Sequence, residues 1–285
     1  MTPAAPSAST RSFLHRVRTH LATLSPTERR LAEAILEFPG EIASYTASEL
    51  AAYANVSNAT VTRFVKRLGY SGYEDARRHV RADKGAGAAL LLMPATRVED
   101  ADALEMHARQ GVANLNATLK RLTSADMVNI AQTILNARKV WLAGYRVNQT
   151  FASYCRWQLM QVLDHVSVIP GAGDTLAEHL INIRAEDCVI VFGLRRSVPL
   201  AREIVSHANE VGARTVYVTN AQATGEVKAN WVVRCDTAAP GPLDNHVAVM
   251  AFCHLLTSAV LEQSGTAGRR RLSAIEILHE TLGEL

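Results

Sequence analysis

The chain has 285 residues, 48% of them hydrophobic, and a formal net charge of +3. That length serves two domains with a core each, and that apolar content excludes a largely disordered protein. Ala86-Gly-Ala-Ala-Leu-Leu-Leu-Met93 is too short to span a bilayer and stops at Pro94, and the first twelve residues have no apolar core for a secretion signal, so a cytoplasmic protein with no membrane partner is expected. The charge is uneven: residues 1–85 hold 12 Lys and Arg against 8 Asp and Glu, and residues 86–285 hold 18 against 19. A basic first third suits a polyanionic partner. Cys155, Cys188, Cys235 and Cys253 are widely spaced, form no CxxC pair and have no His beside them at ligand spacing, so reduced core thiols are expected, with no metal or other cofactor.

Residues 11–83 read as all helix. Phe13, Val17 and Leu21 mark a first helix. A second starts at Leu24-Ser25-Pro26, carries Leu31, Ile35 and Phe38 inward, and ends at Pro39-Gly40. Thr46 and Glu49 form a capping box for a third helix that buries Leu50 and Ala51. Asn55-Val56 is a tight turn, and Ser57 caps a fourth helix with Val61, Phe64, Val65 and Leu68 at core spacing. The remaining face of that helix carries Asn58, Thr60, Thr62, Arg63, Lys66 and Arg67 and no carboxylate. Such side chains reach base edges and phosphates, so Ser57 and these six residues are the expected contacts to an operator in double-stranded DNA. Tyr70-Ser-Gly-Tyr73 then turns into a fifth helix with Arg77, Arg78 and Arg81. Gly, Ala and Pro dominate the stretch that follows, which places a linker at 86–100 between a domain of residues 1–85 and one of residues 101–285.

The rhythm then changes. Amphipathic helices at about 101–121 and 125–137 lead into Val140-Trp-Leu-Ala143. Val166–Ile169, followed by a helix capped by Asp174, Cys188–Phe192, Thr215–Val218 and Trp231–Val233 are further short apolar runs. They alternate with helices, including Pro199–Val211 and a long last one at about 243–263 that starts at Asp244-Asn245-His246. Apolar strands alternating with helices predict a doubly wound parallel sheet, with ligands beyond the strand ends Gly144–Asn148, Gly193–Val198 and Thr219–Ala223.

Leu24-Ser-Pro-Thr-Glu-Arg-Arg-Leu-Ala-Glu-Ala-Ile through Arg63-Phe-Val-Lys-Arg-Leu-Gly-Tyr-Ser-Gly-Tyr73 resembles the N-terminal domain of the MurR/RpiR transcriptional regulators, and the α/β half resembles their SIS (sugar isomerase) domain. The resemblance implies a two-domain architecture of all-α helix-turn-helix and SIS-like α/β domains, a regulator that is no enzyme, and sugar-phosphate binding. SIS loops typically read Gly-x-Gly-x-Ser after the first strand and Ser-x-Ser-Gly-x-Thr after the third. Here they read Gly144-Tyr-Arg-Val-Asn148 and Gly193-Leu-Arg-Arg-Ser-Val198, so guanidinium groups stand where hydroxyls are usual. Gly144, Arg146, Asn148, Gly193, Arg195, Arg196 and Ser197 are therefore expected to converge on a small anionic effector.

A dimer or tetramer is expected, because paired recognition helices read palindromic operators. Two other classes stay open: a sugar-phosphate isomerase using Glu178, His179 or His246, and a regulator whose pocket binds nothing. Arg269-Arg-Arg271 reads as a solvated helix start or a subunit contact.

Overall fold

The computed structural model describes residues 12–37, 45–85, 103–194, 199–223, 227–241 and 243–284. Outside them lie residues 1–11, the linker at 86–100, and the end of the second helix at Phe38 and Pro39-Gly40. The chain divides into two compact units, one made by residues up to Glu99 and the other, apart from the short stretch Gly241–Leu243, by residues from Asp100 on.

In the first unit the helices are α1 (Phe13–His20), α2 (Pro26–Glu37), α3 (Ala47–Tyr53), α4 (Asn58–Arg67) and α5 (Tyr73–Gly85). Hydroxyl residues start them. Ser12 Oγ accepts from the His15 amide at 3.3 Å. Thr46 and Glu49 close the expected capping box, with Glu49 Oε2 accepting from the Thr46 amide at 2.7 Å. Ser25 and Glu28 form a second box that was not among the expected caps, although Ser25-Pro-Thr-Glu28 has its spacing: Glu28 Oε2 accepts from the Ser25 amide at 3.1 Å, and Ser25 Oγ from the Glu28 amide at 3.4 Å. Two left-handed residues end α3 and α4. Asn55 (φ 50) and Gly69 (φ 90) each let the chain fold back, so that Val56 N–H reaches Ala51 O at 2.8 Å and Tyr70 N–H reaches Val65 O at 3.1 Å. Phe13, Val17, Leu31, Ile35, Leu50 and Phe64 fill the core between the helices.

Glu28 ties α2 to α4. The residue is only 4% exposed; its carboxylate accepts from Ser25 Oγ at 2.8 Å and pairs with Arg67 Nε at 3.3 Å. Burial by itself raises the pKa of such a group, but the Ser25 hydroxyl and amide donors, then Arg67 and Arg63, outweigh it and hold Glu28 below its ordinary value. Arg16 braces the other end of α4, donating to Leu68 O at 3.2 Å while its guanidinium lies 4.8 Å above the Tyr70 ring.

The second unit holds a five-stranded parallel sheet in the order β2-β1-β3-β4-β5, from β1 (Val140–Gly144), β2 (Val166–Ile169), β3 (Cys188–Gly193), β4 (Arg214–Asn220) and β5 (Trp231–Cys235). The helices are α6 (Ala103–Leu119), α7 (Ser124–Asn136), α8 (Val147–Leu159), α9 (Ala177–Leu180), α10 (Pro199–Glu210) and α11 (Val247–Leu282). Successive residues of a strand face opposite ways, so Val140 and Leu142 pack with residues of α7, α8 and α11, whereas Trp141 and Ala143 pack with α10. All four cysteines are buried and free, and burial pushes the thiols of Cys188 and Cys235 up to about 12.

Three expectations change. The helix after β2 is the single turn α9, and Asp174 bonds the ring of His179 at 3.0 Å instead of capping a longer helix. The last helix runs on to Leu282, across a break at Gly265 (φ 59, ψ −131), and Asn245 Oδ1 accepts from the Val247 amide at its start. By length and composition α11 is also apolar enough to cross a membrane, whereas the run weighed from the sequence was the shorter one at 86–93; 39% of the most apolar window of α11 is buried, with Val249, Phe252, Leu256 and Val260 in the core.

Replacing Glu28 with Ala is expected to cost about 1–3 kcal/mol at pH 7, from the lost cap and the lost charge-assisted bonds. Its folded pKa lies below the ordinary 4.5, so this stabilisation is fully present above that pH and disappears as pH falls through the folded value. Urea denaturation between pH 7 and pH 3 checks this: the gap between wild type and Glu28→Ala should close on the acid side, and a constant gap would mean the carboxylate charge plays no part.

Candidate functional site

The first candidate surface is the outer face of α4. Ser57 caps the helix, its Oγ accepting from the Thr60 amide at 3.2 Å. Val61, Phe64 and Val65 lock the inner face into the core. Asn58, Thr62, Arg63 and Lys66 are exposed, and the first unsatisfied amides of the helix lie at the same end as Asn58. Asn58 Nδ2 donates to Ser48 Oγ at 3.0 Å, which sets the helix entry against α3. Ser48 has no motif in the sequence to single it out.

Two expected contacts sit elsewhere. Thr60 is 4% exposed, and its hydroxyl lies 3.0 Å from Ser57 Oγ, because position 60 of α4 turns inward beside Phe64. It belongs to the cap and cannot touch a base. Arg67 is half-exposed, but Nη1 donates to Thr23 O at 3.1 Å while Nε pairs with Glu28, so its guanidinium serves as a strut to α2. Arg63 and Lys66 are left as the cations of the outer face, with Asn58 and Thr62 as its polar groups.

The second candidate site is the place where the chain leaves β1 in one direction and β3 in the other. Gly144 is obligatory there: a Cβ would lie 2.3 Å from Asn148 O, since the first turn of α8 folds directly over the strand end. Arg146, at the second Gly of the SIS pattern, adopts the backbone of a glycine (φ 60, ψ −128) and caps α8 with its side chain exposed. Tyr145 is half-buried beside it, and burial raises its hydroxyl pKa; that hydroxyl is enclosed and has no hydrogen-bond partner among the described residues.

Asn148 departs from its expected role. It is 4% exposed, its Nδ2 donates to Leu194 O and its Oδ1 accepts from Leu194 N–H, both at 3.0 Å. The amide that stands where a hydroxyl would hold a ligand instead staples α8 to the chain leaving β3. Gly193 is filled from the side: Tyr217 from β4 occupies the space of its missing side chain, and Thr219 Oγ1 donates to Gly193 O at 3.1 Å. Gly144, Arg146, Asn148 and Gly193 are therefore brought together, with Arg146 the exposed side chain among them. Arg195, Arg196 and Ser197 lie outside the described residues.

The groups considered for an isomerase are separated. Glu178 bonds Thr175, and His179 sits edge-on to Trp141 on the face covered by α10. His246 begins α11 and lies 5.0 Å from the Phe151 ring, on the face covered by α8. The sheet stands between them.

Among known proteins, residues 11–85 match the helix-turn-helix domain of the rpiR family and residues 133–259 match the SIS domain. An uncharacterized HTH-type transcriptional regulator of Providencia stuartii is 29% identical over 196 residues, which is 68% of this chain and 69% of that protein. The HTH-type transcriptional regulator HexR of Pseudomonas aeruginosa is 23% identical over 93% of this chain and 95% of its own length. The fold is shared with the sugar isomerase domain of an RpiR transcription factor from Sphaerobacter thermophilus, at TM-score 0.57 and 20% identity over 61% of this chain and 98% of that one. It is also shared with the Vibrio vulnificus NanR protein complexed with ManNAc-6P, at TM-score 0.56 and 18% identity over 94% of this chain and 98% of that one.

The backbone of Arg146 costs about 1–3 kcal/mol that a glycine would not incur. Arg146→Gly is therefore expected to raise stability by about 1 kcal/mol after the entropy of the added glycine is counted. Asn148→Ala, which strands the buried Leu194 amide and carbonyl, is expected to lower it by about 1–3 kcal/mol. Thermal unfolding of the two variants reads both signs; a loss of stability in Arg146→Gly would show that the guanidinium matters more than the strain.

Proposed function

Because the chain belongs to the rpiR family of helix-turn-helix transcriptional regulators and carries a SIS domain, we propose that α4 reads duplex DNA through Asn58, Thr62, Arg63 and Lys66 while the ends of β1 and β3 sense a small anionic metabolite. The observation that carries the DNA reading is the outer face of α4, where two cations and two hydrogen-bonding side chains stand exposed with no carboxylate among them. Two copies of the chain present two such helices to a palindromic site.

The effector is a sugar phosphate or a carboxylate of similar size. Support comes from the NanR neighbour complexed with ManNAc-6P, from the exposed guanidinium of Arg146 at the head of α8, and from Arg195-Arg196, which follow Leu194 in the sequence. In this reading, charge replaces the hydroxyls of related domains, because Asn148 is committed to Leu194. That same commitment favours a second reading, a regulator whose SIS domain binds no metabolite. An enzyme is disfavoured by the separation of His246 from Glu178 and His179 across the sheet.

With duplex selected from a random pool by the wild-type chain, Arg63→Ala is expected to weaken binding by about 1–3 kcal/mol if the side chain reaches a base, and Lys66→Ala to lower the salt slope by about one. Fluorescence anisotropy at three salt concentrations measures both, and binding unchanged in the two variants would exclude α4 as the reader.

A panel of hexose phosphates and short-chain carboxylates should include one that raises the melting temperature of the wild type but not of Arg146→Ala, with DNA binding retained in that variant. A panel with no effect on the wild type selects the reading without an effector.

A further inference from the structure

Asn58 is the first residue of α4, and its backbone is held on both sides. Ser57 caps the helix in front of it, and Val61 and Phe64 behind it are buried. The left-handed turn at Asn55 and the bond from Val56 N–H to Ala51 O fix the start of α4 against α3. An exposed asparagine side chain in such a place still turns about two bonds. Here one hydrogen bond sets it, Nδ2 donating to Ser48 Oγ at 3.0 Å. Ser48 is fixed in turn, because the capping box of Thr46 and Glu49 fastens the first turn of α3 and Leu50 is buried behind it.

A primary amide has two N–H donors and one carbonyl oxygen. With one donor given to Ser48, the other N–H and Oδ1 of Asn58 are left side by side on one planar group. Thr62 does not compete for them, since its hydroxyl donates to the backbone carbonyl of Asn58 at 3.1 Å. Both Ser48 and Asn58 are exposed, at the end of α4 where a recognition helix meets base edges. In the major groove adenine presents an acceptor, N7, beside a donor, the N6 amine, whereas guanine presents two acceptors. One donor beside one acceptor is the complement of adenine. Arg63 and Lys66 carry donors only and cannot accept from the N6 amine.

We propose that Asn58 reads an adenine in the major groove and that Ser48 is the residue which positions its amide to do so. The proposal rests on the reading of α4 as the helix that lies on DNA, and it names the base read at its amino end. Ser48 touches no base and acts through Asn58. Its oxygen holds the amide plane before DNA arrives, so less rotational freedom is lost when the base is bound.

The test uses the full chain and a duplex selected from a random pool by the wild type. Each adenine is replaced in turn by 7-deazaadenine, which pairs normally but lacks the N7 acceptor. Fluorescence anisotropy is expected to find a position where the replacement weakens wild-type binding by about tenfold. Asn58→Ala should bind the two duplexes equally well. For Ser48→Ala the ratio at that position should fall to about threefold, while Ser48→Thr, which keeps the hydroxyl, should hold it near the wild-type value. Circular dichroism of all three variants should match the wild type. A serine that only supports the fold would weaken both duplexes alike in Ser48→Ala and leave the ratio unchanged, which overturns the positioning role. A wild type that binds through Arg63 and Lys66 but has no adenine whose replacement matters less in Asn58→Ala overturns the base assignment and leaves α4 as the reader. Binding untouched by Arg63→Ala and Lys66→Ala removes the reading of α4 itself, and the proposal with it.

Discussion

A parallel sheet whose strands are buried on both faces confines ligand chemistry to its ends, and the second unit is organised by that restriction. β1, β3 and β4 carry apolar side chains to both sides, Leu142 and Ile190 towards α8 and α11, Trp141 and Val191 towards α10. No polar group can be spared in those strands for recognition. The polar residues cluster where the strands stop, and between β1 and β3, where the chain turns off in opposite directions, α8 begins directly over the strand end. The lack of a Cβ at Gly144 permits that approach. The staple from Asn148 to Leu194 then holds the two diverging segments together, and Arg146 is raised into solvent at the head of the helix.

The same economy operates in the helical unit at smaller scale. A ten-residue helix such as α4 is too short to be stable alone, so it depends on what holds its ends and its inner face. Ser57 and Asn58 fasten its start, Arg16 and the turn at Gly69 its finish, and the ion pair of the buried Glu28 with the half-exposed Arg67 fixes its distance from α2. A basic residue is used in each of two ways on this helix. Arg67 is spent on architecture, and Arg63 and Lys66 stay exposed. A rigid helix with few free side chains loses little entropy when it lies on DNA, and what it contacts is set by a small number of positions.

The loop after β1 combines a strained backbone with an exposed charge. A non-glycine residue at φ 60 and ψ −128 is retained only where its surroundings hold it, and here the clamp at Asn148 and the packing of Phe151 hold the first turn of α8 behind it. The last turns of α11 show the reverse condition, a regular helix that leaves Leu278 and Leu282 exposed. Both features sit in the unit that carries the SIS match.

Much of the fold was legible in order along the chain. Hydrophobic spacing marked the inner faces of α1 to α4, Thr46 and Ser57 marked helix starts, and short apolar runs between helices announced a parallel sheet. These features are local, so a few neighbouring residues suffice to read them. The site was legible in part. Gly144, Arg146, Asn148 and Gly193 do gather at adjacent strand ends, because topology alone brings them there. What the two most altered side chains do was settled by partners distant in sequence: Leu194 takes both ends of the Asn148 amide, and Glu28 and Thr23 take Arg67. The one-turn α9 and the extension of α11 past Gly265 were missed for a related reason, since helix length near a break depends on what the next turn can pack against. The sequence by itself determined which elements form and which polar residues stand near each other, through periodicity and capping within a few residues. Only the tertiary structure decided which of those residues are consumed by internal hydrogen bonds and which remain open to a partner, because that depends on groups about 40 or more positions away that folding alone brings within 3–4 Å.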